Sequence, residues 1–341
     1  MKPELPFPAL LLAREAMATR FELVLPGRPT PSLRAAGEEA LEEIVRLEQL
    51  LSLYRPSSEI AHVNARAAVE PVRVSPQVFA VLERARRWHE WTDGAFDITI
   101  APLLRCWGFM GGEGAMPEDE AVEAARAVTG MQWVELDRRN MTVRFLKPGL
   151  MLDLGGIGKG YALDCAIEIL REAGITQALL HGGTSSVHAL GAPPDAEAWH
   201  LGIESHPLQP GGEKIPLAVV ALKDQSMTVS TVWGKHFQQG GKTYGHIIDP
   251  RTGRPADAAL VSAVMTASAT DGDALATALI VDGKHHHARL SRCLPGMKTL
   301  VAWEAPEGGK LQVATFGIPL LPDVQAEVIG DSGGTRNEPA P

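Results

Sequence analysis

Asp153-Leu154-Gly155-Gly156-Ile157-Gly158-Lys159-Gly160-Tyr161-Ala162-Leu163-Asp164 is the stretch on which the reading of the fold turns. A short apolar run at 150–154 leads into it. A helical pattern over 159–173 leads out, closed by Gly174 at the position that tolerates a left-handed backbone. Four glycines therefore separate a strand-like run from a helix. Upstream, helical spacing dominates. Leu33, Leu41, Ile44, Leu47 and Leu51 predict a helix over 32–52 with Ser32 as candidate cap. Ser75 and Pro76 open a second helix over 76–91, with Val78, Leu82, Ala85 and Trp88 as its apolar face. A third spans 118–128, with acidic residues in its first turn. Ahead of these, 21–25 reads as a strand after an extended entry. From 130 onward strands prevail: 133–136, 142–146, 178–180, 200–203, 217–222, 227–230 and two late runs near 299–303 and 310–315. A hairpin-like stretch covers 243–267, and a helix covers 271–281. Long helices early and strands late argue for an α+β chain with mixed or antiparallel sheets and packed helices, not a regular α/β alternation.

Composition sets the outer limits. The chain has 341 residues, 45% hydrophobic and 21% charged, enough apolar material for a sizeable core. The pattern divides it into an entry segment and strand at 1–30, a body at 31–326 and a polar tail at 327–341 expected to be disordered. The formal charge is −9 and basic residues are scattered, which argues against a nucleic-acid partner. Cys106, Cys165 and Cys293 lie far apart, so neither a disulfide framework nor a structural zinc site is expected. No apolar run reaches the roughly 18 residues of a transmembrane helix. The N-terminal stretch is broken by prolines and carries Glu4, unlike a secretory signal. As written the chain reads as cytoplasmic, or as exported or periplasmic if it is a mature or truncated form. Its 34 glycines and 25 prolines suit tight turns or close approach of backbone to a ligand.

Five constellations carry chemistry. The quoted glycine stretch can turn backbone N–H groups and a helix N-terminus toward an anion, with Lys159 as a point charge. It is neither a Walker loop nor a dinucleotide fingerprint. Glycine count alone serves a structural turn equally well; Lys159 and Asp153 favour a ligand. In Gly245-His246-Ile247-Ile248-Asp249-Pro250-Arg251-Thr252-Gly253, alternation places His246 and Ile248 on one strand face opposite Ile247. His246 is a positioned base there, or a strand histidine without a role. In Thr270-Asp271-Gly272-Asp273-Ala274-Leu275-Ala276-Thr277, Asp273 and Thr277 share a helix face and offer hard oxygen ligands suited to magnesium. The alternative is that Asp271 or Asp273 simply caps the helix. Residues 92–109 read as a loop packed on aromatics. Tyr54, before Arg55-Pro56-Ser57-Ser58-Glu59-Ile60, is either an exposed aromatic that stacks on a flat ligand or a core tyrosine at a helix end. His285-His286-His287 reads as a solvated loop.

In order along the chain these pieces resemble the ApbE family, the FAD:protein FMN transferases. The resemblance is carried by Met17-Ala18-Thr19, the Tyr54 stretch, Asp93-Gly94-Ala95-Phe96-Asp97-Ile98-Thr99 through Trp107-Gly108-Phe109, and the glycine stretch. It continues through His181-Gly182-Gly183, Ser230-Thr231, the His246 stretch and Asp273 through Thr277, covering about 14–318. It implies an ApbE-like, T-fold-like architecture of two lobes with the flavin site between them. It also implies transfer of FMN from FAD, with Mg2+, to a Ser or Thr hydroxyl of an acceptor flavoprotein, with release of AMP. By resemblance, FAD contacts fall at Met17, Tyr54, Ala95, Phe96, Asp97, Asp153, Lys159 and Ile247. The metal falls at Asp273, Thr277 and the carbonyl of Gly156, and His246 is the general base. The chain departs from the family pattern at Ala18, at Thr184-Ser185-Ser186 after Gly183, and at Val232-Trp233. Those departures keep two other functions open: hydrolysis of FAD to FMN and AMP, and non-catalytic FAD binding.

Overall fold

The computed structural model describes residues 6–205, 213–305 and 310–324; the tail expected at 327–341 lies outside the described residues. Its centre is an eight-stranded sheet in which each strand pairs antiparallel with the next one along the chain. The strands are β1 (Ala9–Ala16), β2 (Thr19–Pro26), β3 (Ala178–Gly182), β4 (Ser186–Leu190), β5 (Gln225–Thr231), β6 (Val261–Thr266), β7 (Lys298–Glu304) and β8 (Leu311–Phe316). The fold is α+β, as expected.

Large insertions between these strands bring in the rest. The β2–β3 connection holds α1 (Pro31–Leu51), α2 (Glu59–Arg66), α3 (Pro76–Trp91), α4 (Ala101–Cys106), α5 (Asp119–Ala127) and α6 (Gly158–Glu172). A three-stranded sheet of Val72–Arg73, Val134–Asp137 and Thr142–Phe145 lies within the same connection. A hairpin of Trp199–Ser205 and Ile215–Leu222 precedes β5. The β5–β6 connection forms a second hairpin, His236–Gln239 with Lys242–Gly245, and a ribbon of Ile248–Asp249 with Arg254–Pro255. Between β6 and β7 come α7 (Ala269–Asp282) and α8 (Lys284–Leu290).

Apolar alternation explains the layering. In β2, Phe21, Leu23 and Leu25 are fully buried in one core with residues of α1, α6 and α7, while Val24 joins a second core on the other side. α7 is enclosed almost all round: of its residues only Thr277 is not buried. Among the described residues no helix is long and apolar enough to cross a membrane.

The structure corrects several local readings. The extended entry contains β1, joined to β2 by the two-residue turn Met17-Ala18. α1 is capped by Thr30, not Ser32, and α7 by Ser268, not by Asp271 or Asp273. Residues 150–154 form no strand; the Asn64 side chain brackets Leu152 with two hydrogen bonds, and Asp153 N–H donates to Ile98. His246 stands in a bend between two short strands, so the strand alternation does not apply to it. Residues 285–287 belong to α8, not a loop, and His287 is buried, its Nε2 2.9 Å from Thr299 Oγ1. Burial pushes that imidazole down to about 4.

Candidate active site

The glycine stretch and the start of α7 meet where α6 crosses α7. A Cβ on Gly160 would lie 2.1 Å from the Ala269 carbonyl oxygen, so only glycine permits this approach. The Gly160 N–H is one of the first-turn donors that α6, which starts at Gly158 after its cap Ile157, leaves without a helical acceptor, and it donates to Asp273 Oδ2 at 2.6 Å. One bond thus satisfies that donor and holds the Asp273 carboxylate, while Gly156 lies ahead of the helix, where its carbonyl has no helical donor. Gly160 is therefore a packing and orienting residue, not a phosphate-facing one.

Asp273 is buried, and among the described residues no Lys, Arg or His forms an ion pair with it. Burial pushes its carboxyl up; the Lys159 ammonium and hydrogen bonds from Ser186, Gly160 and Thr228 work against that. Thr277 Oγ1 donates back to the Asp273 carbonyl at 3.1 Å, which leaves its lone pairs free. A Cβ on Gly156 would lie 3.4 Å from that Oγ1, so the glycine turn and Thr277 are neighbours. A buried carboxylate without a cation, a threonine oxygen and a bare carbonyl are hard oxygen donors that fit Mg2+. Among the described residues no cluster of three or more His, Cys, Asp or Glu holds a metal by itself, so other oxygens must complete the shell.

Lys159 ties the site together electrostatically, since its charge acts on Asp153, Asp273 and His246 alike. Asp153 Oδ1 accepts from Gly155 N–H at 2.6 Å, and burial raises its carboxyl. Tyr54 is 61% exposed, which settles the alternative of a core tyrosine, and feels the Asp153 charge. His246 Nδ1 lies 3.2 Å from the Lys235 carbonyl. That contact assigns the proton to Nδ1 and leaves Nε2 as an acceptor. Burial lowers the imidazole's affinity for a second proton, and Lys159, Lys235 and His236 lower it further. His246 is therefore neutral near pH 7. Gly234 makes room for the ring: a Cβ there would lie 2.6 Å from its Cε1.

The remaining expected residues brace this centre from further out. Phe96 packs against Gly156, its Cε2 3.2 Å from a Cβ built there, and Ala95 is buried beside it. The Asp97 carboxylate is engaged inside the protein by Thr99 N–H and Oγ1, Met131 N–H and His89 Nδ1, all within 3.1 Å. Ile247 is half-buried and packs on the core. Met17 sits in the β1–β2 turn, where Met17 and Ala18 adopt φ of 50° and 57°. Its N–H donates to Glu48 Oε1 at 3.0 Å, and Glu48 Oε2 accepts from Arg55 at 2.6 Å. Glu48, unremarked in the sequence, thus links the Met17 turn to the Tyr54–Arg55 loop. Thr228 carried no motif signal, and Ser186 stood out only as part of the departure from the family pattern after Gly183. Two cavities, of about 490 and 310 Å3, include neither Lys159, Asp273 nor His246, although Asp97 lines the smaller one.

A model described as "ApbE family" matches residues 17–301. An FAD:protein FMN transferase of Vibrio cholerae is 30% identical over 289 residues, spanning 82% of this chain and 84% of its own length. One of Treponema pallidum is 32% identical over 289 residues, spanning 80% and 78%. A crystal structure of an ApbE protein from Thermotoga maritima superposes with a TM-score of 0.79 at 29% identity, covering 89% of this chain and 96% of that one. The flavin transferase ApbE of Vibrio cholerae superposes with a TM-score of 0.78 at 27% identity, covering 92% and 98%.

Proposed function

The chain belongs to the ApbE family and is a flavin transferase; from that premise we propose that it transfers FMN from FAD to a Ser or Thr hydroxyl of an acceptor flavoprotein, with Mg2+ and release of AMP. The observation that carries this reading is the meeting of the glycine turn with the start of α7, which sets the buried Asp273 carboxylate, Thr277 Oγ1 and the Gly156 backbone side by side.

Each residue has a part in that chemistry. Tyr54 stacks on the flat part of the dinucleotide. Lys159 and the glycine turn offset charge on the diphosphate. Asp273, Thr277 and the Gly156 carbonyl would hold Mg2+, which would offset negative charge on the phosphoryl oxygens. His246 Nε2 takes the proton of the acceptor hydroxyl. The hydroxyl oxygen forms a bond to the phosphorus of the FMN half, the bond from that phosphorus to the bridging oxygen breaks, and AMP leaves with the bridging oxygen.

The test is incubation with FAD, Mg2+ and a peptide bearing the family's target motif, followed by mass spectrometry and AMP assay. A peptide gaining one FMN and stoichiometric AMP are expected. AMP formed equally without peptide would replace the reading with FAD hydrolysis. Bound FAD with neither product would replace it with non-catalytic binding.

A further inference from the structure

Two hydroxyls converge on the carboxylate assigned to the cation. Asp273 Oδ1 accepts from Ser186 Oγ at 2.8 Å and from Thr228 Oγ1 at 3.2 Å, whereas Oδ2 accepts from the Gly160 N–H alone among the described residues. Each carboxylate oxygen has about two lone-pair sites. Oδ1 is therefore the more heavily engaged oxygen, and Oδ2 the more open one. The two hydroxyls arrive as a matched pair: Ser186 on β4 and Thr228 on β5 are direct partners in the antiparallel ladder. Both are buried, and α7 rests directly on them, since a Cβ on Gly272 would lie 3.1 Å from Thr228 Oγ1.

We propose that the Ser186–Thr228 cross-strand pair is the positioning device of the cation site: by occupying Oδ1 it fixes the carboxylate plane and makes Oδ2 the oxygen that binds the cation. The inference rests on the reading of a divalent cation at Asp273. Partners that orient a metal ligand change metal affinity by about 10–100-fold when removed, because the ligand must otherwise be ordered at the moment of binding. Ser186 stands just where the chain departs from the family pattern after Gly183, so the sheet, not the motif, supplies this contact.

The experiment measures Mn2+ affinity by electron paramagnetic resonance of free Mn2+, using full-length protein with FAD and no acceptor. Thr228→Val keeps the shape and removes the hydroxyl, Thr228→Ser keeps the hydroxyl, and Ser186→Ala removes the second donor. Thermal midpoints with and without Mn2+ are recorded for each. The parent and Thr228→Ser are expected to bind within about threefold of one another, and Thr228→Val and Ser186→Ala at least tenfold more weakly. Lower thermal midpoints with unchanged Mn2+ affinity would assign the pair a purely structural role and overturn the proposal. Should Thr228→Val fail to fold, Ser186→Ala against the parent decides the question in the same way. A parent protein that binds no Mn2+ would overturn the cation reading itself, which separates the two failures.

Discussion

Replacing Asp164 with alanine should unlatch the start of α7, and the size of the effect can be worked from the contacts. Asp164 lies on α6, one turn beyond Gly160, and serves as an external cap for α7. Its Oδ1 accepts from Ala269 N–H at 2.7 Å; its Oδ2 accepts from Ser268 Oγ at 2.7 Å, Thr270 N–H at 3.0 Å and Thr270 Oγ1 at 2.6 Å. The two hydroxyls can turn to other acceptors, but the two N–H groups cannot, and Ala269 and Thr270 are buried. Each buried donor left unsatisfied costs about 1–3 kcal/mol, and loss of a negative charge at a helix N-terminus adds roughly 0.3–1 kcal/mol. Asp164→Ala should therefore destabilise the protein by about 2–7 kcal/mol. Asp164→Asn keeps one acceptor oxygen and should lose about half as much. Burial pushes the Asp164 carboxyl up, but nearby His188 and hydrogen bonds from Thr270 and Ser268 outweigh it, so the folded value is depressed. Its contribution is thus present above the ordinary carboxylate range and fades as pH falls through the folded value. Urea unfolding at pH 7 and at successively lower pH measures both effects. A loss under about 1 kcal/mol at pH 7, or a gap between parent and alanine variant that stays constant with falling pH, would refute this account of the α6–α7 latch.

Four further outcomes can be checked separately. His246→Ala should lower flavin transfer by about 10²–10⁴-fold and leave FAD affinity within a few-fold, read by transfer kinetics and fluorescence titration. Because the His246 value is depressed, transfer by the parent should decline only as pH drops below the ordinary histidine value of 6.5. His89 is raised: burial opposes its charge, but the Asp97 hydrogen bond and charge prevail. Its stabilising contribution is full below the unfolded value and lost as pH rises through the folded one, so His89→Gln should cost more stability at pH 5.5 than at 8.5 in urea titrations. Ala18→Gly relieves a left-handed residue in the Met17-Ala18 turn and should raise stability by about 0.5–1 kcal/mol, seen as a higher unfolding midpoint.

Long apolar periods made the helices legible. The 76–91 helix appears with the predicted bounds and cap, and α6 and α7 fall within two residues of theirs. Short elements were not legible, because β1, α2, α4, α8 and the 236–245 hairpin are held by tertiary contacts more than by local pattern. The aromatic contacts of that hairpin show the point: Phe237 stacks on Tyr244 with centroids 5.1 Å apart, and Tyr244 on Trp107 at 5.9 Å, a partner more than a hundred residues away in the chain. Likewise Tyr54, Asp153, Lys159, His246 and Asp273 stood out by residue type and neighbourhood, and Met17 by family resemblance, but the residues that hold them did not. Glu48, Ser186 and Thr228 are ordinary residues in ordinary patterns, and their roles exist only once distant segments meet.

The sequence by itself determined the α+β class, the family and the residue types that carry the chemistry, because periodicity and motif order are written along the chain. Which atoms are free to act was decided by the tertiary structure. The Gly160 N–H, left without a helical acceptor in the first turn of α6, reaches Asp273 only because α6 and α7 cross within reach of a missing Cβ. His246 keeps an open Nε2 only because the Lys235 carbonyl lies against its other nitrogen. Both contacts depend on distances between segments that no local spacing records.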